Sequence, residues 1–249
     1  MQRKTNVVVI GATGDVGRGI VGVLTRAGHT VAAVARQSAR LSALRADSDT
    51  PERTRIICGS VADDASAAAL LVAIRAALPT IDAVVVSVNA PRVPAPLLTH
   101  SSASLAAMIH QDLISHYAAA RAFIPAIAPG GVFLGIGGGS CDLVLHEGVP
   151  QSVAQGGLRQ LYRGLAHEFR NSAVFIRELI IASVVNGVST RTTAHPLWVT
   201  DQEVGQQVAS ILSDASTYPG PILRLARRDG SGRPVFSDEG PSRVQGFSA

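Results

Sequence analysis

Aromatic side chains are scarce in this chain. Phenylalanine, tyrosine and tryptophan make up only 4% of its 249 residues, although 47% are hydrophobic and much of that is alanine. Small and branched apolar residues suit helices packed tightly on a sheet. They do not suit a base-stacking surface, which needs aromatics interleaved with a basic stripe. The net charge of +4 is modest and almost entirely arginine spread along the chain, so nucleic acid is not an expected partner. Only two cysteines occur, Cys58 and Cys141. They supply neither a disulfide framework nor metal-ligand spacing, and they fit a cytoplasmic, reducing location with no metal site. No apolar run is long enough to cross a bilayer. The apolar stretch near the N-terminus is cut by Gly11 and lacks a cleavage-site pattern, which argues against a secretory leader.

What is present is a regular alternation. Short runs rich in valine and isoleucine predict strands at 7–10, 30–36, 55–58, 83–86, 131–136, 174–181 and 221–225. Helix-period stretches separate them, starting near Asp15 and then covering 38–45, 66–78, 104–128, 151–169 and 204–212. The fourth of these is interrupted near Pro125, and Thr200 with Glu203 has capping-box spacing before the last. Most strands are continuously apolar, as expected when helices cover both faces of a sheet. The reading is a single α/β domain over 1–225, a doubly wound parallel sheet of about seven strands in the Rossmann arrangement. From Ala226 to 249 the chain is polar and glycine-rich and is expected to be a mobile tail.

The first strand empties into Gly11-Ala12-Thr13-Gly14-Asp15-Val16-Gly17. Gly11 permits a tight turn, Gly14 lets backbone approach a phosphate, and Gly17 lets the following helix pack close to the sheet. The helix N-terminus then faces the turn and favours an anion. A dinucleotide pyrophosphate is the expected ligand. At the end of the second strand an acid would bond an adenosine ribose, but Arg36 stands there, with Arg40 one helical turn on. Arginines suit a 2′-phosphate, so NADP(H) is expected ahead of NAD(H).

In this order of motifs the chain resembles the short-chain dehydrogenase/reductase family over residues 5–226. The glycine turn is similar to that family's G-x-x-G-x-x-G variant. Ser60-Val61 falls where the family places Asp-Val beside the adenine, and Ser87-Val88-Asn89 falls on its Asn-Asn-Ala-Gly stretch. Leu165-Ala166-His167-Glu168-Phe169 matches the end of its catalytic helix, and Ile176-Arg177 the start of the sixth strand. The resemblance implies a cofactor site at Gly11, Thr13, Gly14, Asp15, Val16, Gly17, Arg36, Arg40, Ser60, Val61, Ser87, Val88 and Asn89. It also implies a small-molecule substrate, and a homodimer or homotetramer formed through the 104–128 and 151–169 helices.

The chemistry residues depart from that pattern. The family's catalytic serine falls on Gly138, its Tyr-x-x-x-Lys pair on Gln151 and Gln155, its helix asparagine on Asp112, and its Pro-Gly on Ser183-Val184. Glutamine can hydrogen-bond a carbonyl or a ribose but has no proton to give near neutral pH. Tyr162 lies roughly 16 Å of helix rise beyond Gln151 and is not a substitute. His146 in the preceding loop, Ser140 two residues past Gly138, and Asp112 or His116 on the neighbouring helix are the groups that can move a proton. Bare backbone at Gly137-Gly138-Gly139 offers N–H groups for an oxyanion, and Cys141 reads as a small buried filler. The expected walls of the substrate site are the proline-rich loop 90–99 and the loop carrying Arg191, His195 and Trp198. Three functions fit these residues: an NADP(H)-dependent oxidoreductase with a non-standard proton donor, a non-redox isomerase, cyclase or lyase, and an NADP(H) sensor without turnover.

Overall fold

A computed structural model of the chain describes residues 4–241. Its strands are β1 (Asn6–Ile10), β2 (Thr30–Ala35), β3 (Thr54–Cys58), β4 (Ala83–Val86), β5 (Val132–Gly138), β6 (Phe175–Ala182), β7 (Val185–Asn186), β8 (Val199–Thr200), β9 (Ile222–Arg228) and β10 (Pro234–Asp238). The helices are α1 (Asp15–Arg26), α2 (Ser38–Ala46), α3 (Asp64–Ala77), α4 (Ser102–Ile109), α5 (Ser115–Phe123), α6 (Val149–Glu168) and α7 (Asp201–Ser213). Eight strands make one sheet in the order β10-β9-β6-β5-β4-β1-β2-β3, and β7 pairs with β8 apart from it. Every pairing is parallel except β10 on β9.

Consecutive side chains of β1 explain the two layers. Val7 and Val9 join the core under α1, α2 and α7, whereas Val8 and Ile10 join the core under α3, α5 and α6. Residues pointing both ways are buried, so the run from Val7 to Ile10 is apolar throughout. The chain leaves β1 toward β2 and β3, then returns to place β4 on the other side of β1. A crevice therefore opens beyond the carboxyl ends of β1 and β4, where such sheets bind ligands. Asp63 and Ser66 close a capping box at the start of α3, and Thr200 and Glu203 close one at α7.

Two expectations need correction. The tail expected from Ala226 is sheet for much of its length: β9 runs to Arg228, and β10 returns antiparallel with Phe236 opposite Leu225. The hairpin is held by Glu239, which accepts from Arg159 at 2.6 Å and Arg163 at 2.7 Å on α6, and by Phe236 edge-on to Tyr218. Its alternate exposed residues give little apolar signal. Residues 242–249 of that expected tail lie outside the described residues. The sheet thus has eight strands and not seven. The helix expected over 104–128 is α4 and α5 joined by a π turn at His110–Ile114 and closed by a tight turn holding Pro125.

Helices α1 and α7 cross where each has a glycine. A methyl group at Gly205 would lie 2.6 Å from the Gly19 carbonyl oxygen and 2.7 Å from Val23 Cγ2. Backbone cannot retreat here without moving a helix. Gly205→Val should lower stability by ~1–3 kcal/mol, seen as an earlier urea midpoint with an unchanged slope.

Candidate active site

Hydrogen bonds from Gly11 and Ala12 N–H to the Val34 carbonyl, both 3.0 Å, turn the chain out of β1. Gly11 has a φ of +88°, and any Cβ there would overlap the Ser87 carbonyl that follows β4. A Cβ at Gly17 would overlap the Gly11 carbonyl. Gly14 is the N-cap of α1, and no side chain caps that end, so its leading N–H groups face the crevice.

The crevice holds two adjoining cavities. The first, about 310 Å³, is bordered by Gly11, Thr13 and Gly14, by Arg36 and Arg40, by Ser60 and Val61, and by Ser87, Val88 and Asn89. Its lining contains no carboxylate. The exposed Arg36 guanidinium has no hydrogen-bond or ion-pair partner among the described residues, and Arg40 reaches the Thr13 carbonyl at 3.5 Å. His110, Gln111 and Ser115 also border it, brought in by the π turn. Periodicity alone does not reveal them, because a continuous helix would have faced them elsewhere. Gly17 borders neither cavity and acts through packing.

The second cavity, about 640 Å³, shares Gly14, Ser87, Val88 and Asn89 with the first. Asp15 and Val16 border it, as do Ser140, Gln151, Gln155, Asp112 and Gly137 through Gly139. The Asp15 carboxylate is occupied: it accepts from Ser189 N–H at 2.9 Å and from the Ser189 hydroxyl, tying the loop after β7 to α1. Gln151 is half-buried and has no side-chain partner among the described residues. Gln155 is a bridge. Its Oε1 accepts from Gly138 N–H at 2.6 Å, and its amide nitrogen donates to Asp112 at 3.3 Å. Asp112, inside the π turn, also accepts from Ala90 N–H. Burial raises the Asp112 carboxyl above its usual range, opposed by those bonds from Ala90 and Gln155.

Four site expectations change. His146 is exposed and borders neither cavity; its carbonyl accepts from Arg92 at 2.6 Å instead. The Gly138 N–H is already bonded to Gln155, so it is not a free oxyanion donor. Arg191, His195 and Trp198 border neither cavity, and from that loop's tip only Thr190 does. His116 is fully buried beneath the site.

A family model described as Enoyl-(Acyl carrier protein) reductase matches residues 11–219. The chain belongs to the short-chain dehydrogenase/reductase family. A search of curated proteins found no match to it. Among solved structures, a metagenomic short-chain oxidoreductase in complex with NADP is 21% identical, with a TM-score of 0.74 over 90% of this chain and 96% of that one. The Brucella melitensis glucose/ribitol dehydrogenase structure is 17% identical, TM-score 0.77, over 91% and 95%. A short-chain oxidoreductase from Pseudomonas aeruginosa PAO1, described as containing an atypical catalytic center, is 19% identical, TM-score 0.76, over 90% and 95%. At these identities the likeness is one of fold. Family membership supports a general oxidoreductase role.

This short-chain dehydrogenase/reductase carries a single lysine, Lys4, just before β1. That end of the strand is opposite the crevice, so no lysine can be recruited in place of Gln155. A buried polar layer lies under the site on the α6 side. Val88 offers only a carbonyl to His116 Nε2 at 3.1 Å, so Nε2 carries the hydrogen. Nδ1 then accepts from the Tyr162 hydroxyl at 3.0 Å. Burial lowers His116 to about 4 and pushes Tyr162 well above its ordinary value. Tyr162 fits because Gly135 has no side chain. Beside it on β6 stands Glu178, 0% exposed, its carboxyl seated where a Gly137 side chain would be. An acid in the middle of a strand, at a position facing the same way as Ile176 and Ile180, was its sign in the sequence.

His116 binds fewer protons folded than unfolded, so its contribution to stability is complete above its unfolded value of 6.5 and is lost as pH falls toward about 4. His116→Gln should flatten the stability–pH curve across that window by roughly 3 kcal/mol. Denaturant titrations at stepped pH measure it.

Proposed function

We propose that the protein is an NADP(H)-dependent oxidoreductase acting on a carbonyl or alcohol group of a small hydrophobic molecule, with a non-standard proton donor. The observation that carries this reading is the unpartnered Arg36 beside Arg40, in a carboxylate-free cavity reached from the glycine turn. The residues present fit a 2′-phosphorylated dinucleotide. Gly11, Gly14 and the uncapped start of α1 receive the pyrophosphate. Arg36 and Arg40 meet the 2′-phosphate, Ser60 and Val61 border the adenine, and Ser87 to Asn89 run between the two halves.

When bound, the cofactor supplies or accepts hydride at its nicotinamide. The chain does the rest. Apolar side chains such as Leu143, Leu145, Ile181 and Val184 exclude water around the substrate. Gln151 and Ser140 present donors to a substrate oxygen, orienting it without supplying an ionisable proton. Gln155, held by Asp112, fixes the end of β5.

Shifts in melting temperature with NADPH and with NADH test the cofactor assignment. Trp198 fluorescence is the poorer signal, because that ring borders neither cavity. Stabilisation by NADPH at concentrations where NADH has little effect is the expected result. No shift with either overturns both the oxidoreductase and the sensor readings. Product formation without net cofactor consumption would instead mark non-redox catalysis. Arg36→Gln should weaken NADPH by about ten-fold, the loss expected for one charge-assisted contact, and leave NADH unchanged. Isothermal titration of both cofactors reads this directly.

A further inference from the structure

We propose that Glu178 is the proton store of this cleft, feeding it through the space that Gly137 leaves by lacking a side chain. The inference rests on the carbonyl-reducing reading above and identifies where its proton comes from.

Glu178 stands mid-strand in β6, paired across Gly135 of β5 and Ile222 of β9, and is 0% exposed. Neither carboxyl oxygen has a hydrogen-bond partner among the described residues. A buried carboxylate left without partners takes up a proton instead of staying charged. Burial raises this carboxyl to about 8; Glu239 adds to the effect, while Arg159 and Arg163 oppose it. At neutral pH the side chain is an acid with a proton that no structural bond consumes.

Its position gives that proton a direction. A Cβ on Gly137 would overlap Glu178 Oε1 and lie 3.5 Å from Gln155 Oε1. Gly137 and Gln155 both border the larger cavity. The carboxyl therefore sits one missing side chain behind the cleft, next to the position where a lysine would complete the family's usual pair. A purely structural side chain here would more economically be leucine, since an unpaired buried acid gives no net stability. The charged and titratable groups around it are Arg159, Arg163 and Tyr162 of α6, Cys141 and Asp142 after β5, Arg224 of β9 and Glu239 after β10. Arg159 is also engaged by Cys141, Asp142 and Glu239. Arg159 and Arg163 favour the carboxylate once the proton has gone, although both also pair with Glu239, which opposes it.

The step balances as follows. With the reduced cofactor bound, its hydride would add to the carbonyl carbon while the C=O π pair moved to oxygen. A water in the cleft protonates that oxygen and takes the Glu178 proton in return. The products are the alcohol, the oxidised nicotinamide and a Glu178 carboxylate, which solvent reprotonates. Glu178 acts through water, so it is a positioning residue and not one that touches substrate.

Infrared difference spectra and steady-state kinetics on the full chain test this together. Benzaldehyde and diacetyl serve as carbonyl probes with NADPH. The wild-type protein should show a buried carboxylic-acid carbonyl band at pH 7 that disappears near pH 8 and is missing from Glu178→Gln. Its kcat should fall along the same basic limb. Glu178→Gln should lose the limb and about ten-fold or more in kcat, with KM and NADPH affinity unchanged, and Glu178→Asp should recover part of the loss. The wild-type band needs no variant, so poor folding of Glu178→Gln leaves the test intact. Absence of the band at pH 7, or equal kcat and limb in wild type and Glu178→Gln, overturns the role of Glu178 alone. NADPH binding without oxidation by either probe overturns the redox reading, and this inference with it.

Discussion

The Ser87 carbonyl leaves no room for a side chain at residue 11, and most of the molecule is arranged around that contact. β1 and β4 lie side by side at the point where the chain reverses its direction of travel across the sheet. Their carboxyl ends must come close for the crevice to have a floor. Gly11 makes the approach possible, its carbonyl then excludes a side chain at Gly17, and α1 is drawn down onto the sheet. From that helix the restriction passes to α7 through Gly19 and Gly205. Three elements are thus set by successive backbone-to-backbone contacts, and the uncapped start of α1 is fixed at their meeting point.

On the opposite face a second layer depends on polar groups. Glycines at 135 and 137 open spaces over β5, and Tyr162 and Glu178 fill them. His116 satisfies Tyr162, and Asp112 satisfies Gln155, whereas Glu178 is left without a hydrogen bond. Replacing a tyrosine–lysine pair by two glutamines removes two ionisable groups from the cleft surface. Burial shifts two of the remaining acids upward: Asp112 at the cavity border and, one layer deeper, Glu178.

Much of the fold was legible in the sequence because burial on both faces leaves a continuous apolar record. The six strands from β1 to β6, the glycine turn and the Thr200–Glu203 cap all follow from local residue chemistry. Most of the residues bordering the first cavity were legible for the same reason, since they adjoin strand ends. What failed depended on tertiary contacts. β10 is half exposed, and its place comes from Glu239 meeting Arg159 and Arg163, residues far away in sequence. The π turn that swings His110 and Asp112 toward the crevice leaves no mark in periodicity. His146 fell outside the cleft because a loop's direction is set by its anchors, here Arg92 on the His146 carbonyl.

The C-terminal hairpin also limits how copies of this chain can meet. β9 would otherwise be the edge of the sheet, a row of backbone donors and acceptors open to any other strand. β10 occupies that row, and the new edge begins with Pro234, which has no N–H to offer, while Val235 and Ser237 alternate outward. The sheet cannot be continued from one molecule into the next through β9. The hairpin thus replaces a long, buried-type edge strand by a short, half-exposed one that opens on a proline.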